Sequence, residues 1–208
     1  MNRNVDSYGP TLYLVRHGET DYNRNKIFQG RFDIPLNENG LRQAEELRLI
    51  LASVVLTKAF VSPLGRARAT AEIILRDRGV PIVIEPRLIE LDFGAWEGVA
   101  EEEVKRRWEE DYRNYREDMS RFCPKGGESA VEAQARAGEW WEEVKRAHST
   151  QDESILVVAH QSLNAVLACY VTGMGLEHAW EHFKCRPAEV LRIAPGKVPL
   201  VSRLAPSL

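Results

Sequence analysis

The sequence predicts an α/β protein with a mainly parallel central sheet and helices on both of its faces. Four strand-like runs alternate with helical patterns along the chain, which is typical of parallel sheets. The first and last of these runs are almost wholly apolar, as central strands covered on both faces are. Polar, chemically capable residues follow three of the four runs directly.

The strands are predicted from runs of β-branched and apolar residues. These runs cover residues 11–15 (TLYLV), 58–62 (KAFVS), 80–85 (VPIVIE) and 154–160 (SILVVAH). The C-terminal tail alternates weakly between apolar and polar residues, which predicts one or two edge strands.

Two amphipathic patterns predict the helices between these strands. The first covers residues 37–54, with Asn37 as N-cap. Its apolar face holds Leu41, Ala44, Leu47 and Leu51. The second covers residues 63–79 and is expected to end at Gly79 as a C-cap. Its apolar positions are Ala67, Ala71, Ile74 and Leu75.

The second half of the chain contains four further helical patterns. One helix rich in Glu and Arg is predicted over residues 99–121 and ends before a break at 123–127 (CPKGG). Others are predicted over residues 128–148, 162–174 and 175–183. The segment 99–127 is expected to form a lid-like insertion in a single domain that spans residues 1–208.

Composition excludes several classes of protein. Hydrophobic residues make up 44% of the 208 residues and charged residues 28%, as in ordinary globular proteins. The net charge of −3 and the interleaving of basic with acidic residues speak against a nucleic-acid partner. The sequence shows neither a membrane span nor the apolar core of a signal peptide, so a cytoplasmic protein without a membrane partner is expected. Three widely spaced cysteines are predicted to be free thiols.

The polar residues after the strands indicate a binding site at one edge of the sheet. Arg16 and His17 follow the first strand, residues 62–66 follow the second, and His160 ends the fourth run. Ligands of parallel α/β sheets bind in the crevice at the carboxyl ends of the strands. We therefore expect these side chains to meet there.

These residue types suit an anionic substrate such as a phosphate ester. The forked guanidinium groups of Arg16 and Arg66 match the oxygens of a phosphoryl group. One of the two imidazoles can attack phosphorus while the other stabilises the charge of the transition state. Glu90, which follows an extended stretch, can protonate the leaving group if burial raises its pKa.

Each of these residues also has an ordinary structural explanation. A histidine after a strand is often structural, Arg66 could lie on a helix surface, and Glu90 could cap the N-terminus of a helix. A metal site at His17 is the main chemical competitor, but nearby arginines favour an anion over a cation, and no metal is predicted. His178 and His182, spaced four residues apart, could share a metal but lack the HExxH order.

Six motifs together resemble the histidine phosphatase superfamily, which includes cofactor-dependent phosphoglycerate mutases and many small phosphatases. In chain order they are LVRHGETDYN, QGRFDIPLNENGLRQA, VSPLGRARATAE, LIELDFGAWEG, KGGES and VVAHQ. The resemblance runs over nearly the whole chain. It implies a three-layer α/β/α sandwich and a phosphohistidine mechanism that needs no metal and no cofactor.

The resemblance also implies roles for individual residues. His17 would be the nucleophile, and Glu90 would donate a proton in the first step and activate water in the second. The phosphate pocket around the nucleophile would be formed by Arg16, Arg66 and His160. Asn23 would contact the phosphoryl group or a nearby substrate oxygen, and Gln29 and Gly30 would line the entrance.

Within the superfamily, the sequence favours a phosphatase that acts on a small-molecule phosphate ester. The continuation FGAWEG after Glu90 resembles the phosphatase branch, and the segment 99–127 is compact. A phosphoglycerate mutase stays the first alternative, and a non-catalytic module that binds a phosphorylated partner stays another. Relatives are often dimers, so a homodimer is expected by resemblance alone.

Two departures from the family pattern affect the substrate site. Gln161 stands where many members have glycine, and it is expected to narrow the approach to the substrate or to add an amide contact. A similar His-Gln pair occurs in the fructose-2,6-bisphosphatase branch, which keeps a sugar bisphosphate substrate open. Arg186 and Pro187 stand where many relatives have a small polar residue, so the residue opposite the nucleophile is undetermined.

The segment 99–127 offers candidates for substrate recognition. Its aromatic residues suit an organic moiety, and its arginines suit a second anionic group. The aromatic candidates are Trp108, Tyr112, Tyr115 and Phe122, and the arginines are Arg106, Arg107, Arg113 and Arg116. A surface helix can also hold all of them for packing and solubility alone, and both interpretations stay open.

Overall fold

A computed structural model describes residues 9–148, 153–194, 196 and 199–205. The prediction that no signal peptide is present concerns the N-terminal segment. Most of that segment, residues 1–8, lies outside the described residues. Six strands form one sheet: β1 (Thr11–Arg16), β2 (Lys58–Val61), β3 (Ile82–Ile84), β4 (Ser154–Ala159), β5 (Val190–Ala194) and β6 (Leu200–Leu204).

The described residues contain eight α-helices. They are α1 (Asp21–Arg24), α2 (Glu38–Ile50), α3 (Gly65–Ile74), α4 (Glu101–Arg107), α5 (Glu109–Glu117), α6 (Ala130–Ala147), α7 (Gln161–Thr172) and α8 (Ala179–Phe183). Short 3-10 turns cover Pro86–Leu88, Gly94–Trp96, Met119–Arg121 and Leu176–His178.

The strands are ordered β3-β2-β4-β1-β5-β6 across the sheet. The first four strands of the chain run parallel to one another, while β5 pairs antiparallel with β1 and β6 pairs antiparallel with β5. The tail therefore supplies two strands, of which only β6 is an edge. The prediction that tail strands lie at the edge is wrong for β5, because β5 also pairs with β1.

The two faces of the sheet bury two separate apolar clusters. In β1, Leu12 and Leu14 face one cluster while Tyr13 and Val15 face the other, because successive side chains of a strand alternate. The first cluster includes residues of α6 and α7, and the second includes residues of α2 and α3. Helices thus cover both faces, which confirms the three-layer α/β/α architecture.

The helix α2 begins as the sequence predicts. The side chain of Asn37 accepts a hydrogen bond from the backbone N–H of Gly40 at 2.9 Å, and Ala44, Leu47 and Leu51 are buried. Leu41 is 46% exposed, so its place on the apolar face is wrong. At about 100° per residue, Leu41 lies about 90° from the centre of the other three side chains, at the margin of the buried stripe.

The helix α3 ends earlier than predicted. Its C-cap is Leu75, whose backbone N–H donates to the carbonyl oxygen of Ala71 at 3.0 Å. Gly79 is therefore not the cap. With φ of +64°, it lies in the turn that leads to β3, where the left-handed conformation favours glycine.

The segment 99–127 forms two short helices and a 3-10 turn instead of one helix, because the chain breaks at Trp108. Each helix begins with three acidic residues, and the last turn carries three basic residues in α4 and one in α5, which suits two separate helix dipoles. That charge pattern is a signal for two helices. The segment buries Val104, Tyr115, Met119 and Phe122 in the first apolar cluster.

No helix in the described part of the chain has the length and apolar character that a membrane span requires. All three cysteines are free thiols, as predicted, with Cys169 and Cys185 buried and Cys123 exposed.

Two glycines allow the loop after β1 to contact α2 through backbone alone. A Cβ atom at Gly40 would lie 2.1 Å from the carbonyl oxygen of Glu19, and one at Gly18 would lie 2.3 Å from the carbonyl oxygen of Gly40. Both obstacles are backbone atoms, so no side-chain rotation relieves the overlap. Glycine at these positions fixes the distance between the loop that carries His17 and the first turn of α2.

We expect Gly40→Ala to destabilise the fold, although alanine favours helices over glycine by about 1 kcal/mol. The backbone overlap should lower the free energy of unfolding by about 1–3 kcal/mol or more, as overpacking does. Urea denaturation measures this change. Glu46→Ala, at an exposed position of the same helix, is the control and should stay within about 0.5 kcal/mol. A Gly40→Ala protein as stable as the Glu46→Ala protein would contradict the packing argument.

Candidate active site

The carboxyl ends of β1, β2 and β4 bring the predicted site residues together. Arg16 lies opposite Ala159 in the parallel pairing of β1 with β4, and the backbone N–H of His17 donates to the carbonyl oxygen of Ala159 at 3.0 Å. His160 follows directly, and its ring centroid lies 5.1 Å from that of His17. The strand-end argument from the sequence is therefore correct for these residues.

A cavity of about 320 Å³ opens at this edge of the sheet. Eight of the nine predicted site residues line it: Arg16, His17, Asn23, Gln29, Gly30, Arg66, Glu90 and Gln161. The ninth, His160, is not part of the lining. It is fully buried behind His17.

The hydrogen bonds of His17 fix its neutral tautomer. Its Nδ1 lies 2.7 Å from the carbonyl oxygen of Gly18, which can only accept, so Nδ1 carries the proton. The Nε of Arg66 donates to the Nε2 of His17 at 3.2 Å, and a guanidinium can only donate. The lone pair of His17 therefore lies on Nε2, on the side of the ring that faces Arg66.

The electrostatic environment keeps His17 neutral near neutral pH. Burial lowers its pKa well below the usual value, and the nearby charges of Arg66 and Arg16 lower it further. The hydrogen bond to Gly18 acts in the opposite direction but does not prevail. A neutral imidazole with a directed lone pair can act as a nucleophile.

Arg66 is a buried cation held by backbone oxygens. Its side chain is 1% exposed, and it donates to the carbonyl oxygens of Phe32 at 2.6 Å and Gly30 at 2.7 Å in addition to His17. Burial lowers its pKa to about 10, while the charges of Glu90 and Asp33 raise it. Arg66 thus keeps its charge at neutral pH.

Thr70 is a positioning residue that the sequence reasoning missed. Its hydroxyl accepts a hydrogen bond from the backbone N–H of Gly18 at 3.1 Å and donates to the carbonyl oxygen of Arg66 at 2.8 Å. It therefore connects the loop that carries His17 with the helix that carries Arg66. The spacing of four residues, which puts Thr70 on the same face of α3 as Arg66, is the signal that could have found it.

His160 has a partner that the sequence did not reveal. Its Nε2 lies 2.7 Å from the hydroxyl of Ser62, the first residue after β2. Its Nδ1 is buried and has no hydrogen-bond partner among the described residues. Burial lowers its pKa well below the usual value, as do the charges of Arg66 and Arg16. His160 is therefore neutral at physiological pH.

Glu90 lines the cavity and also caps α7. Its Oε1 accepts from the backbone N–H groups of Leu91 and Leu163, both at 3.0 Å, and its Oε2 accepts from that of Ser162 at 3.3 Å. Ser162 and Leu163 belong to the first turn of α7. Glu90 thus caps a helix, and the same side chain faces the cavity where the catalytic prediction places it.

The protonation of Glu90 results from opposing effects. Burial raises its pKa above the usual value, whereas the backbone N–H donors and the charge of Arg66 lower it. Burial prevails, so the protonated form is favoured over that of an ordinary glutamate. Oε2 has the longer and weaker acceptor contact. Protonation of this oxygen therefore sacrifices the least hydrogen bonding.

Gln161 lines the cavity, and its side-chain amide contacts Arg16. The Nη1 of Arg16 donates to the Oε1 of Gln161 at 2.6 Å. The Nε of Arg16 is buried and has no partner among the residues that the structure describes. Gln161 therefore orients one end of the Arg16 guanidinium while the other donors stay available to an anion.

The remaining predicted residues lie on the loop and helix after β1. The Oδ1 of Asn23 accepts from the backbone N–H of Thr20 at 3.2 Å, which leaves the amide NH2 group for a ligand. The Oε1 of Gln29 accepts from the hydroxyl of Thr20 at 2.9 Å. Gly30, with φ of +51°, presents its carbonyl oxygen to Arg66.

The segment 99–127 contributes few of its predicted recognition residues to the cavity. Tyr115 and Arg116 line it, together with Glu101, which the sequence reasoning did not single out. Six of the candidates are not part of the lining: Trp108, Tyr112, Phe122, Arg106, Arg107 and Arg113. The side chains of these six pack, form ion pairs or face solvent, and their part in recognition stays a prediction.

Arg186 and Pro187, which depart from the family pattern, lie in different surroundings. Pro187 lines the cavity, while Arg186 is exposed and lies 3.9 Å from the carboxylate of Glu189. Pro187 offers the substrate an apolar surface without a polar side chain.

Among the described residues, the donor atoms of His178, Glu181 and His182 converge closely enough to hold a metal ion. All three side chains lie at the surface, and none of them lines the cavity. The neighbours of His17 are instead Arg16 and Arg66, which match an anion.

The chain is similar to known proteins over most of its length. The model of the histidine phosphatase superfamily (branch 1) matches residues 12–198. Phosphoserine phosphatase 1 of Hydrogenobacter thermophilus is 34% identical over 174 residues, which cover 84% of this chain and 81% of the relative. The adenosylcobalamin/alpha-ribazole phosphatase of Escherichia coli is 33% identical over 174 residues, with 83% and 84% covered.

A solved structure is similar over the same range. Bacillus stearothermophilus YhfR superposes with a TM-score of 0.83 at 31% sequence identity, covering 93% of this chain and 95% of that one. The match of the family model to most of the chain, the two curated relatives and this structure all lead to one assignment. The chain belongs to branch 1 of the histidine phosphatase superfamily.

Proposed function

We propose that this protein hydrolyses a small-molecule phosphate monoester in two steps, through a phosphohistidine on His17. The observation that carries the proposal is the directed lone pair of His17 Nε2 in a cavity with two guanidinium groups and one buried carboxyl group. The related phosphatases, which share a third of the sequence, support the same reaction class.

In the first step, His17 Nε2 attacks phosphorus and a new N–P bond forms. The ester P–O bond breaks, and the leaving oxygen takes the proton from the Oε2 of Glu90. The proton on Nδ1 stays in its hydrogen bond to the carbonyl of Gly18, which stabilises the positive charge that develops on the ring. Splitting one displacement into two easier ones is the advantage of covalent catalysis.

In the second step, water attacks the phosphohistidine. Glu90, now a carboxylate, accepts a proton from the water, a new P–O bond forms and the N–P bond breaks. His17 and protonated Glu90 are regenerated, and the products are an alcohol and inorganic phosphate. One carboxyl group thus serves as acid and then as base, as its position beside the reacting centre permits.

The other lining residues bind and orient the phosphoryl group. Arg16 and Arg66 neutralise its charge, and the amide group of Asn23 donates to one of its oxygens or to a nearby substrate oxygen. Gln161 holds Arg16 in place, and Gln29 and Gly30 shape the entrance. His160 supports His17 from behind and supplies a further imidazole near the phosphoryl group. Electrostatic stabilisation of this kind dominates phosphoryl transfer.

Several broader expectations are part of the same proposal. The chain forms a single catalytic domain, functions in the cytoplasm without a nucleic-acid partner and forms a homodimer. A phosphoglycerate mutase and a sugar bisphosphatase are the alternative activities.

We expect His17→Ala to abolish hydrolysis of 4-nitrophenyl phosphate and of an alkyl phosphate alike, because the nucleophile is lost. Glu90→Gln should reduce turnover of the alkyl phosphate by about 10²–10⁴, the usual contribution of a general acid. On 4-nitrophenyl phosphate it should reduce phosphorylation by less than about tenfold, because a good leaving group needs little protonation. Rapid-mixing measurements of the first turnover separate this step from the second.

His178→Ala, an exposed histidine outside the cavity, is the matched control and should behave like wild type. Equal losses from Glu90→Gln on both substrates would count against Glu90 as the proton donor.

The pH profile of kcat/KM for the alkyl phosphate should be bell-shaped. The rate should decrease as the pH falls through the lowered pKa of His17, because the protonated ring has no lone pair. It should also decrease as the pH rises through the raised pKa of Glu90, because the proton donor is lost. With 4-nitrophenyl phosphate, the decrease at high pH that is due to Glu90 should become smaller. The decrease at low pH that is due to His17 should stay. The second pKa of each phosphate ester, about 6, is measured separately, and its effect on the pH profile is removed.

Identical basic limbs on both substrates, after that correction, would exclude Glu90 as the group responsible.

Phosphate release should exceed phosphoglycerate interconversion. With 3-phosphoglycerate and added 2,3-bisphosphoglycerate, we expect phosphate to accumulate faster than 2-phosphoglycerate, and EDTA to leave the rate unchanged. Phosphate assay and NMR of the same mixture measure both products. Faster interconversion would make the protein a mutase, and loss of activity in EDTA would contradict the phosphohistidine route without metal.

A further inference from the structure

The outer part of the cavity carries two cations that the proposed phosphoryl transfer does not use. Lys26 follows α1 and Arg116 lies in the last turn of α5, and both side chains line the cavity. Both residues are exposed, so they lie at its rim. The catalytic pair Arg16 and Arg66 lies deeper, beside His17.

Lys26 and Arg116 differ in their pairing from four basic residues of the segment 99–127. Four basic side chains there form ion pairs with an acidic residue three or four positions away, at 2.6–3.6 Å: Lys105, Arg106, Arg107 and Arg121. Within the described ranges, neither Lys26 nor Arg116 has a carboxylate oxygen within 4.0 Å. Their charges are therefore available to a ligand in the cavity.

The backbone holds both residues at the rim. Lys26 has φ of +54°, an uncommon conformation for a residue with a side chain. Its carbonyl oxygen accepts from the backbone N–H of Glu101 at 2.8 Å, which connects its loop to the start of α4. Arg116 follows Tyr115, whose buried ring packs in the first apolar cluster. Two separate segments thus bring one cation each to the same opening.

Two carboxylates in the lining reduce the net positive charge at this rim. The Oε1 of Glu101 accepts from the hydroxyl of Tyr112 at 2.5 Å, and the Oε1 of Glu19 accepts from the side-chain amide of Asn37 at 3.0 Å. Both carboxylates lie in the same lining as Lys26 and Arg116 and offset part of their positive charge. A group with one negative charge therefore fits this rim better than a second, doubly charged phosphate.

We propose that Lys26 and Arg116 form a subsite for a carboxylate, so that the substrate is the phosphate monoester of a hydroxycarboxylic acid. The inference rests on the proposed phosphatase function and specifies its substrate class. The planar fork of Arg116 matches two carboxylate oxygens, and the ammonium group of Lys26 adds a second positive charge. The cavity of about 320 Å³ holds a small acid of this kind.

Arg116 also lies where a basic residue stabilises a helix through its dipole. That role affects the stability of the fold and makes no difference between two substrates that differ only in a carboxylate. The test therefore measures discrimination within a matched pair.

The matched pair is 3-phosphoglycerate and glycerol 3-phosphate, which carry a carboxylate and a hydroxymethyl group at the same position. We expect wild type to favour 3-phosphoglycerate at least about tenfold in kcat/KM. Arg116→Gln and Lys26→Gln should each reduce this ratio by about tenfold, mainly through KM, since one charge-assisted hydrogen bond is lost. Arg116→Lys should restore part of the ratio.

Arg113→Gln is the control, because Arg113 lies on the same helix, is exposed and does not line the cavity. Its ratio should equal that of wild type. A ratio that is unchanged in Arg116→Gln and Lys26→Gln, or that changes equally in Arg113→Gln, would overturn the proposal. A greater preference for fructose 1,6-bisphosphate over fructose 6-phosphate than for the carboxylate pair would also overturn it, in favour of a second phosphate.

Calorimetry on the His17→Ala protein separates this proposal from the proposed function. Tighter binding of 3-phosphoglycerate than of glycerol 3-phosphate, reduced by an added Arg116→Gln, supports the subsite even if wild type hydrolyses neither compound. Hydrolysis of 4-nitrophenyl phosphate by wild type, together with equal binding of the two compounds, rejects the subsite and leaves the phosphatase function intact.

Discussion

The site depends on one buried guanidinium group, that of Arg66. Placing a charge inside a protein costs several kcal/mol unless the charge is compensated. Arg66 is compensated mainly by two backbone carbonyls and by the lone pair of His17, and no carboxylate lies within ion-pair distance among the described residues. Because the acceptors are neutral, the positive charge stays uncancelled where a phosphoryl group would bind. The same contacts fix the direction of His17.

Glu90 shows how two structural demands on one side chain can oppose each other. As the cap of α7 it is stabilised as a carboxylate, since backbone N–H groups and a helix N-terminus favour negative charge. As a buried group it is stabilised in the protonated form. These opposing effects act on the two protonation states that a group serving as acid and then as base must adopt.

Much of the fold and of the site could be predicted from local patterns, because strand runs, caps and strand ends are local. The rule that ligands bind at the carboxyl ends of parallel strands was sufficient to group His17, Arg66 and His160. The structure was needed for contacts between distant parts of the chain, such as Thr70 with Gly18 and Ser62 with His160. It also decided which faces of α4 and α5 meet the cavity, because a helix of mixed charges has no pattern that distinguishes Arg116 from Arg113.

The aromatic packing of the segment 99–127 fixes one wall of the cavity that His17 lines. Tyr115 and Phe122 contact the rings of Phe93 and Trp96, with centroids 5.1–6.0 Å apart. Swinging the segment away would expose these rings, each of which buries about 150–250 Å². The wall that Tyr115 contributes to the cavity is therefore fixed by core packing, so it keeps its shape around the ligand that enters.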